Sequence, residues 1–315
     1  MPGFRLARNA TVSALSRRNL ERARASAGEY GVPLAFDSAA DLCRSSEVDA
    51  VLVTTPNASH HADTLRALDS GKPVLCEKPM AMSAAQCREM IARAKERKLL
   101  LGVAQIFRFE ESTRRLRERI AAGDIGTPVF ARAEFSFSGR HHARDWLTDL
   151  AVSGGGPIVD VGVHCIDALR FILNHEITSV QATGRRDADS RDVESAAVLN
   201  LEFASGTLAS IMVSFRAHYR TPLEFIGEAG TLFAHNGLTV DHPINIELWR
   251  EGRIVETEQV SNHLAYAHQV DSFAAAVEGK ATFPIPGEEG LRNQLVLDAA
   301  YRSLHHGRRE SIPDN

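Results

Sequence analysis

The sequence predicts an α/β domain built on a parallel, doubly wound sheet over residues 1–104. An α+β domain with a large, mostly antiparallel open sheet follows over residues 105–315. Three observations lead there. The first hundred residues alternate short, fully apolar strands with amphipathic helices, the pattern of strands buried on both faces. From residue 128 onward apolar positions recur in period two, as in strands with one wet face. A chain of 315 residues, 44% of them apolar, is also longer than one core usually serves.

In order, residues 11–15 (TVSAL) read as a short strand, and 19–30 as a helix rich in Ala, Arg and Glu that stops at Gly31. Residues 37–43 suit a short helix. Residues 49–54 (DAVLVT) form an apolar strand ended by Pro56. Residues 60–70 are helical to Gly71, and 73–76 form another apolar strand. Ser83 caps a helix to about Lys98, and 99–104 are again a strand. Ligands of such sheets lie outside the carboxyl ends of the strands, so the segments after Leu15, Thr54, Cys76 and Ala104 are expected to line a crevice. In the second half, residues 128–137, 193–203, 207–215 and 244–249 alternate as strands. Gly230 splits two shorter ones at 224–229 and 231–233. Helices are expected near 163–173, 265–278 and 288–305.

Composition excludes several classes. A formal net charge of -4 gives no basic surface for nucleic acid. No apolar run approaches the roughly 20 residues a membrane helix needs. The opening MPGFRLARNA lacks an apolar signal-type core, and the four cysteines have no metal-type spacing. The expectation is a soluble, cytoplasmic protein with reduced thiols. His141-His142 and His305-His306 are adjacent pairs whose rings point apart, which makes poor metal ligands. Arg114 to Arg119 reads as the wet face of a helix.

Two segments carry chemistry. Glu77-Lys78-Pro79 follows an apolar strand at the ligand-facing edge, where Lys78 serves either as a crevice cation or as a solvated loop lysine. Gly154-Gly155-Gly156 lets backbone approach a ligand or another chain closely. Asp160 and His164 follow, four residues apart. On one helix face, a carboxylate can orient an imidazole and favour its protonated form, as proton transfer from a hydroxyl requires. The same pair also suits an N-capping Asp160 and a packed His164.

These residues carry a resemblance. Residues 54–80 (TTPNASHHADTLRALDSGKPVLCEKPM), 102–109 (GVAQIFRF) and 153–173 (SGGGPIVDVGVHCIDALRFIL) resemble, in order, the glucose-fructose oxidoreductase, inositol dehydrogenase and MocA family. The resemblance implies a Rossmann domain plus a C-terminal α+β domain, and hydride transfer between a nicotinamide and a sugar or cyclitol, with no metal. It implies that Lys78 stabilises alkoxide charge, that His164 is base or acid, and that Asp160 orients substrate or imidazole. Thr54, Thr55, Pro56, Asn57, His60, Glu77 and Gln105 would line the nicotinamide and ribose. Arg108, Arg144, Trp146 and Tyr266 are candidate sugar contacts, alongside Lys78, Asp160 and His164. A homodimer or homotetramer through the open face of the C-terminal sheet is implied as well.

The sequence departs from the family in one place. The opening strand and G-x-G-x-x-G turn, which receive the pyrophosphate at a helix N-terminus, do not occur before residue 11. The first βα unit of the domain is therefore expected to be missing, through a start codon recorded too far downstream or through true loss. A polypeptide beginning at Met1 is expected to bind dinucleotide weakly, and a non-catalytic sugar-binding or scaffold protein of the same fold is the alternative function. At the end of the second family strand, Ser16 stands where NAD-preferring domains place an acid, and Arg17 and Arg18 follow. A hydroxyl with two guanidinium groups suits a 2′-phosphate, so NADP is expected over NAD.

Overall fold

Side-chain caps at Asn19 and Ser83 start two helices of the first hundred residues where the sequence places them. In the computed structural model, which describes residues 2–139, 145–187, 191–240 and 242–313, Asn19 accepts from the Arg22 N–H and starts α2 (Leu20–Tyr30). Gly31 ends that helix with φ 68°. Ser83 accepts from the Gln86 N–H and starts α5 (Ala84–Arg97). Around them run α1 (Pro2–Leu6), β1 (Ala14–Ser16), β2 (Leu34–Phe36), α3 (Ala39–Arg44), β3 (Val51–Val53), α4 (Asn57–Asp69), β4 (Val74–Cys76) and β5 (Leu101–Val103).

The chain divides into two compact units. The first is Met1–Ala104 with Tyr266–Leu291, and the second is Gln105–Ala265 with Arg292–Asn315. The first unit thus takes in Tyr266–Leu291, far along the chain from Ala104. The cause is backbone pairing and packing against β5. The Val103 N–H donates to the Ile285 carbonyl at 2.9 Å, and Gly102 lies so close to the Phe283 ring that a Cβ would collide with it. Asp271 of α9 (Ala265–Val277) accepts from the Arg8 and Asn9 N–H groups at 2.7 and 2.9 Å, which anchors the chain after α1.

The parallel strands of the first unit form two separate ladders, β1–β2 and β3–β4–β5, in place of one continuous sheet. β4, paired on both sides, is buried throughout. β3 has a ladder partner on one side among the described residues, and its Leu52 is 38% exposed despite its apolar character.

The second unit holds a nine-stranded sheet in the order β13-β12-β11-β10-β6-β9-β8-β7-β14. Its strands are β6 (Pro128–Ser136), β7 (Ile177–Arg185), β8 (Ala196–Phe203), β9 (Leu208–Ser214), β10 (Leu223–Gly227), β11 (Thr231–Ala234), β12 (Pro243–Arg250), β13 (Arg253–Ser261) and β14 (Glu310–Ser311). All pairs are antiparallel except β6–β9, which is parallel, so the sheet is mixed. Ala131, Ala133, Leu199, Leu201, Ile211 and Val213 bury one face. Against it pack α8 (Val163–Leu173) and the wide helical turn before it. α8 is buried nearly all round, its His164, Asp167 and Arg170 included. The opposite face leaves Phe130, Val198 and Leu208 exposed. The unit also contains α6 (Glu111–Ala121), α7 (Leu150–Ser153) and most of α10 (Gly287–His306). No helix among the described residues is long and apolar enough to cross a membrane.

Candidate active site

In the first unit the chain leaves β3 through Thr54 and Thr55, both exposed, and enters α4 at the buried Asn57 directly after Pro56. Thr55 Oγ1 donates to Asp63 at 2.9 Å. His60, on the first turn of α4, is almost fully buried. Its Nδ1 lies 2.8 Å from the Pro79 carbonyl and its Nε2 2.7 Å from the Thr55 carbonyl. The sequence reading places His60 against the nicotinamide; in the structure its ring joins the turn after β3 to the turn after β4. Burial holds its pKa below the ordinary imidazole value. Glu77 and Lys78 are half-buried, the Lys78 N–H donates to Glu77 Oε2 at 3.2 Å, and the Lys78–Pro79 peptide is cis. The loop lysine is thus held from behind by a buried side chain.

At the end of β1, Ser16 is half-buried while Arg17 and Arg18 are exposed. The Arg17 N–H is taken by the Phe36 carbonyl, which fixes the backbone and leaves both guanidinium groups to project from the segment before the cap of α2. Tyr266 lies in this unit too, on α9, where a Cβ on Gly3 would strike it.

In the second unit Gln105 is buried ahead of a single tight turn, Ile106–Phe109. Arg108 in that turn makes two bonds, at 2.8 and 2.7 Å, to the Asp167 carboxylate of α8 and lies over Phe171. Asn293 supports the same carboxylate at 2.8 Å. This ion pair ties the turn that carries Arg108, a candidate sugar contact, to α8. Asp160 sits in the wide turn Ile158–Gly162, whose bonds span one residue more than an α-helix, and His164 sits on the first turn of α8. Both are buried, His164 at 8% exposure. The His164 ring meets Phe107 edge-on, with centroids 4.6 Å apart, and stacks on Phe135 at 6.0 Å. Two aromatic walls therefore fix the imidazole plane.

The glycine run is held by a residue that sequence reasoning did not single out. Glu194, just before β8, accepts from the Gly156 N–H at 3.1 Å, the Ile158 N–H at 3.0 Å and the Tyr301 hydroxyl at 2.9 Å. Burial pushes its carboxyl upward against these three donors, and burial beside Glu194 pushes the Tyr301 phenol well up. Glu110 is a second unforeseen group. It is fully buried, its Oε1 has no partner among the described residues, and burial pushes its carboxyl well above the usual carboxylate range. Only inward-facing positions and the glycines' crowding could have signalled Phe135 and Glu194; no motif marks either. Trp146 is half-buried in a turn at Asp145–Thr148, whereas Arg144 and the His141-His142 pair lie outside the described residues. His306 pairs with Glu310 at 2.9 Å, and no metal-type cluster occurs among the described residues.

Comparison with known proteins places this geometry. Residues 2–105 match the model of an oxidoreductase family with an NAD-binding Rossmann fold, and residues 113–233 match the GFO/IDH/MocA C-terminal domain. The chain belongs to the GFO/IDH/MocA oxidoreductase family. It is 31% identical over 282 residues to 1,5-anhydro-D-fructose reductase of Ensifer adhaerens, covering 89% of this chain and 84% of that protein. It is 32% identical to D-xylose 1-dehydrogenase (NADP(+)) 2 of Haloferax volcanii, covering 94% and 90%. The fold matches an aldose-aldose oxidoreductase from Caulobacter crescentus, solved with glycerol, at a TM-score of 0.91 and 24% identity, over 99% and 94% of the two chains. The GFO/IDH/MocA chain is therefore an oxidoreductase with an NAD-binding Rossmann domain and a C-terminal domain built on a large mixed sheet. Relatives of this kind do not favour the non-catalytic alternative.

Proposed function

We propose that this oxidoreductase moves a hydride between NADP and a hydroxyl or keto carbon of a sugar, sugar derivative or cyclitol. The observation that supports it most is the buried Asp160–Gly162–His164 segment. Its imidazole is clamped between Phe107 and Phe135 at the start of α8, in a family whose relatives carry sugar reductase and dehydrogenase names.

The residues present fit a nicotinamide and its ribose. The N-terminus of α4 opens directly after β3, and the half-buried Glu77-Lys78 turn follows β4. Thr54, Thr55, Pro56, Asn57 and Gln105 would hold that end of the cofactor. No G-x-G-x-x-G occurs in the 315 residues, so no pyrophosphate contact is assigned. When bound, the nicotinamide supplies or accepts the hydride. The Lys78 ammonium would donate a hydrogen bond to the reacting oxygen and stabilise negative charge there. The His164 imidazole would take the hydroxyl proton in oxidation and return it in reduction, and Asp160 would orient the imidazole or a neighbouring substrate hydroxyl. The aromatic walls around His164 would exclude water from that exchange.

Preference for NADP rests on Ser16, Arg17 and Arg18 at the end of β1, where a 2′-phosphate would receive charge-assisted bonds. Trp146 is retained as a sugar contact, while Arg108 serves the site through Asp167. Exposed Phe130, Val198 and Leu208 on the open sheet face support a homodimer or homotetramer. Four buried free cysteines agree with a cytoplasmic setting. The test is an absorbance assay of hydride transfer with the full chain, NADP or NAD, and a panel of aldoses, anhydro-sugars and cyclitols. Turnover confined to hydroxylated ring substrates supports the reading; turnover on none of them, alongside measurable dinucleotide binding, rules it out.

A further inference from the structure

We propose that Glu194, with Tyr301, is the positioning pair that sets Asp160 and His164 in their working geometry. This rests on the catalytic reading above. Glu194 belongs to the segment entering β8 and Tyr301 to α10, so two elements distant in sequence converge on one glycine turn. The Glu194 carboxylate takes the two N–H groups on either side of Pro157, which has none of its own. It thus caps the wide turn from outside, as a tertiary N-cap. The Gly156 carbonyl in turn accepts the N–H groups of Val159 and Asp160, each at 3.1 Å. One residue therefore separates the Glu194 carboxylate from the backbone bond that places Asp160.

The glycines are required by the same pair. A Cβ on Gly155 would run into the Tyr301 hydroxyl, and a Cβ on Gly156 into the Glu194 backbone carbonyl. Gly155 also has φ 155°, beyond the reach of ordinary side chains. The triple glycine run thus has a structural explanation: it lets the turn close onto Glu194 and Tyr301. A carboxylate accepts only, and all three of its partners are donors, so an amide in its place must turn an N–H toward a donor. Glu194→Gln therefore misplaces the turn without emptying the space, and Tyr301→Phe removes one bond and little volume.

The test compares Glu194→Gln and Tyr301→Phe with the unaltered full chain by steady-state kinetics and by the 15N chemical shifts of the His164 ring. Glu194→Gln is expected to lower kcat roughly 10- to 100-fold, the scale of a misplaced reacting group. Tyr301→Phe acts in the same direction and more weakly. The dinucleotide KM changes less than about twofold, because binding of the cofactor does not pass through this turn. The His164 ring shifts move in both variants. Unchanged His164 shifts in both variants, or unchanged kcat in both while His164→Ala is inactive, overturns the proposal. Moved shifts together with a fully active His164→Ala would leave the pair as the determinant of His164 geometry and refute the catalytic reading instead. If Glu194→Gln does not fold, Tyr301→Phe carries the same comparison.

Discussion

The Phe107 ring meets His164 edge-on, with centroids 4.6 Å apart and planes at 83°. Phe107 comes from the turn that opens the second unit and is buried. An edge-on ring against imidazole fixes its plane without competing for either nitrogen. Phe107→Leu keeps most of the apolar volume and removes this geometry, so kcat is expected to fall several-fold while the melting temperature moves little. Phe107→Ala adds a cavity of the kind that costs about 3–5 kcal/mol. Thermal melts and kinetics on the two variants separate orientation from stability; equal kcat in Phe107→Leu and the unaltered chain contradicts an orienting role.

Glu110 supplies a pH signature. Ser112 Oγ, which also donates to the Gly237 carbonyl at 3.0 Å, reaches Glu110 Oε2 as a donor only at 3.5 Å, too weak a contact to offset burial of the carboxyl. Burial raises the Glu110 pKa in the folded state. The folded chain then keeps a proton that the unfolded chain releases above its ordinary value. This contribution is fully present below the unfolded pKa and is lost as pH rises through the folded one. Glu110→Gln removes the loss. Its melting temperature relative to the unaltered chain should rise as pH rises above the ordinary glutamate value of 4.5. A constant or falling difference means Glu110 is ionised in the fold.

His60 works in the opposite sense. Its folded pKa is depressed by burial, so the unfolded chain takes up a proton first as pH falls below about 6.5. Stability is lost as pH falls from there through the folded pKa. A neutral ring donates its single N–H to one of the Thr55 and Pro79 carbonyls, so His60→Phe removes one hydrogen bond, at a cost of about 1–3 kcal/mol, and abolishes this acid loss. Chemical denaturation at neutral and mildly acidic pH checks both parts; a variant as stable as the parent at neutral pH shows that the ring does not join the two turns.

Much of this was legible in the sequence, for identifiable reasons. β4 and α8 were readable because burial on every side leaves apolar runs, and α5 because Ser83 caps a helix with one apolar face. Asp160 and His164 were visible because their spacing and the three glycines are unusual together. β7 was missed because a bulge between Ile177 and Ser179 breaks its period-two pattern. β13 was missed because nearly all of it is an exposed, polar edge strand. The place of residues 266–291 in the first unit could not be read, since one antiparallel bridge, Gly102 to Pro286, and the Phe283 contact decide it. The Asp167 partner of Arg108 was not legible, because nothing in the spacing from the turn at Ile106–Phe109 to α8 marks the pair.

Arg17 and Arg18 test cofactor choice. Replacing both with Ala should raise the NADPH dissociation constant by about 10- to 100-fold, the worth of a hydrogen bond to a charged group, and leave NADH binding within about twofold. Fluorescence titration of both dinucleotides gives the answer; equal weakening of NADH and NADPH shows that the arginines do not read the 2′-phosphate.

The central claim is that Lys78 and His164 serve the chemical step rather than binding. Its most direct test is single-turnover hydride transfer from a deuterated sugar substrate by Lys78→Ala and His164→Ala, with dinucleotide affinity measured on the same preparations. The expected result is a loss of at least about 100-fold in the transfer rate, with cofactor affinity within a few-fold of the parent. Full transfer rates in both variants would contradict it.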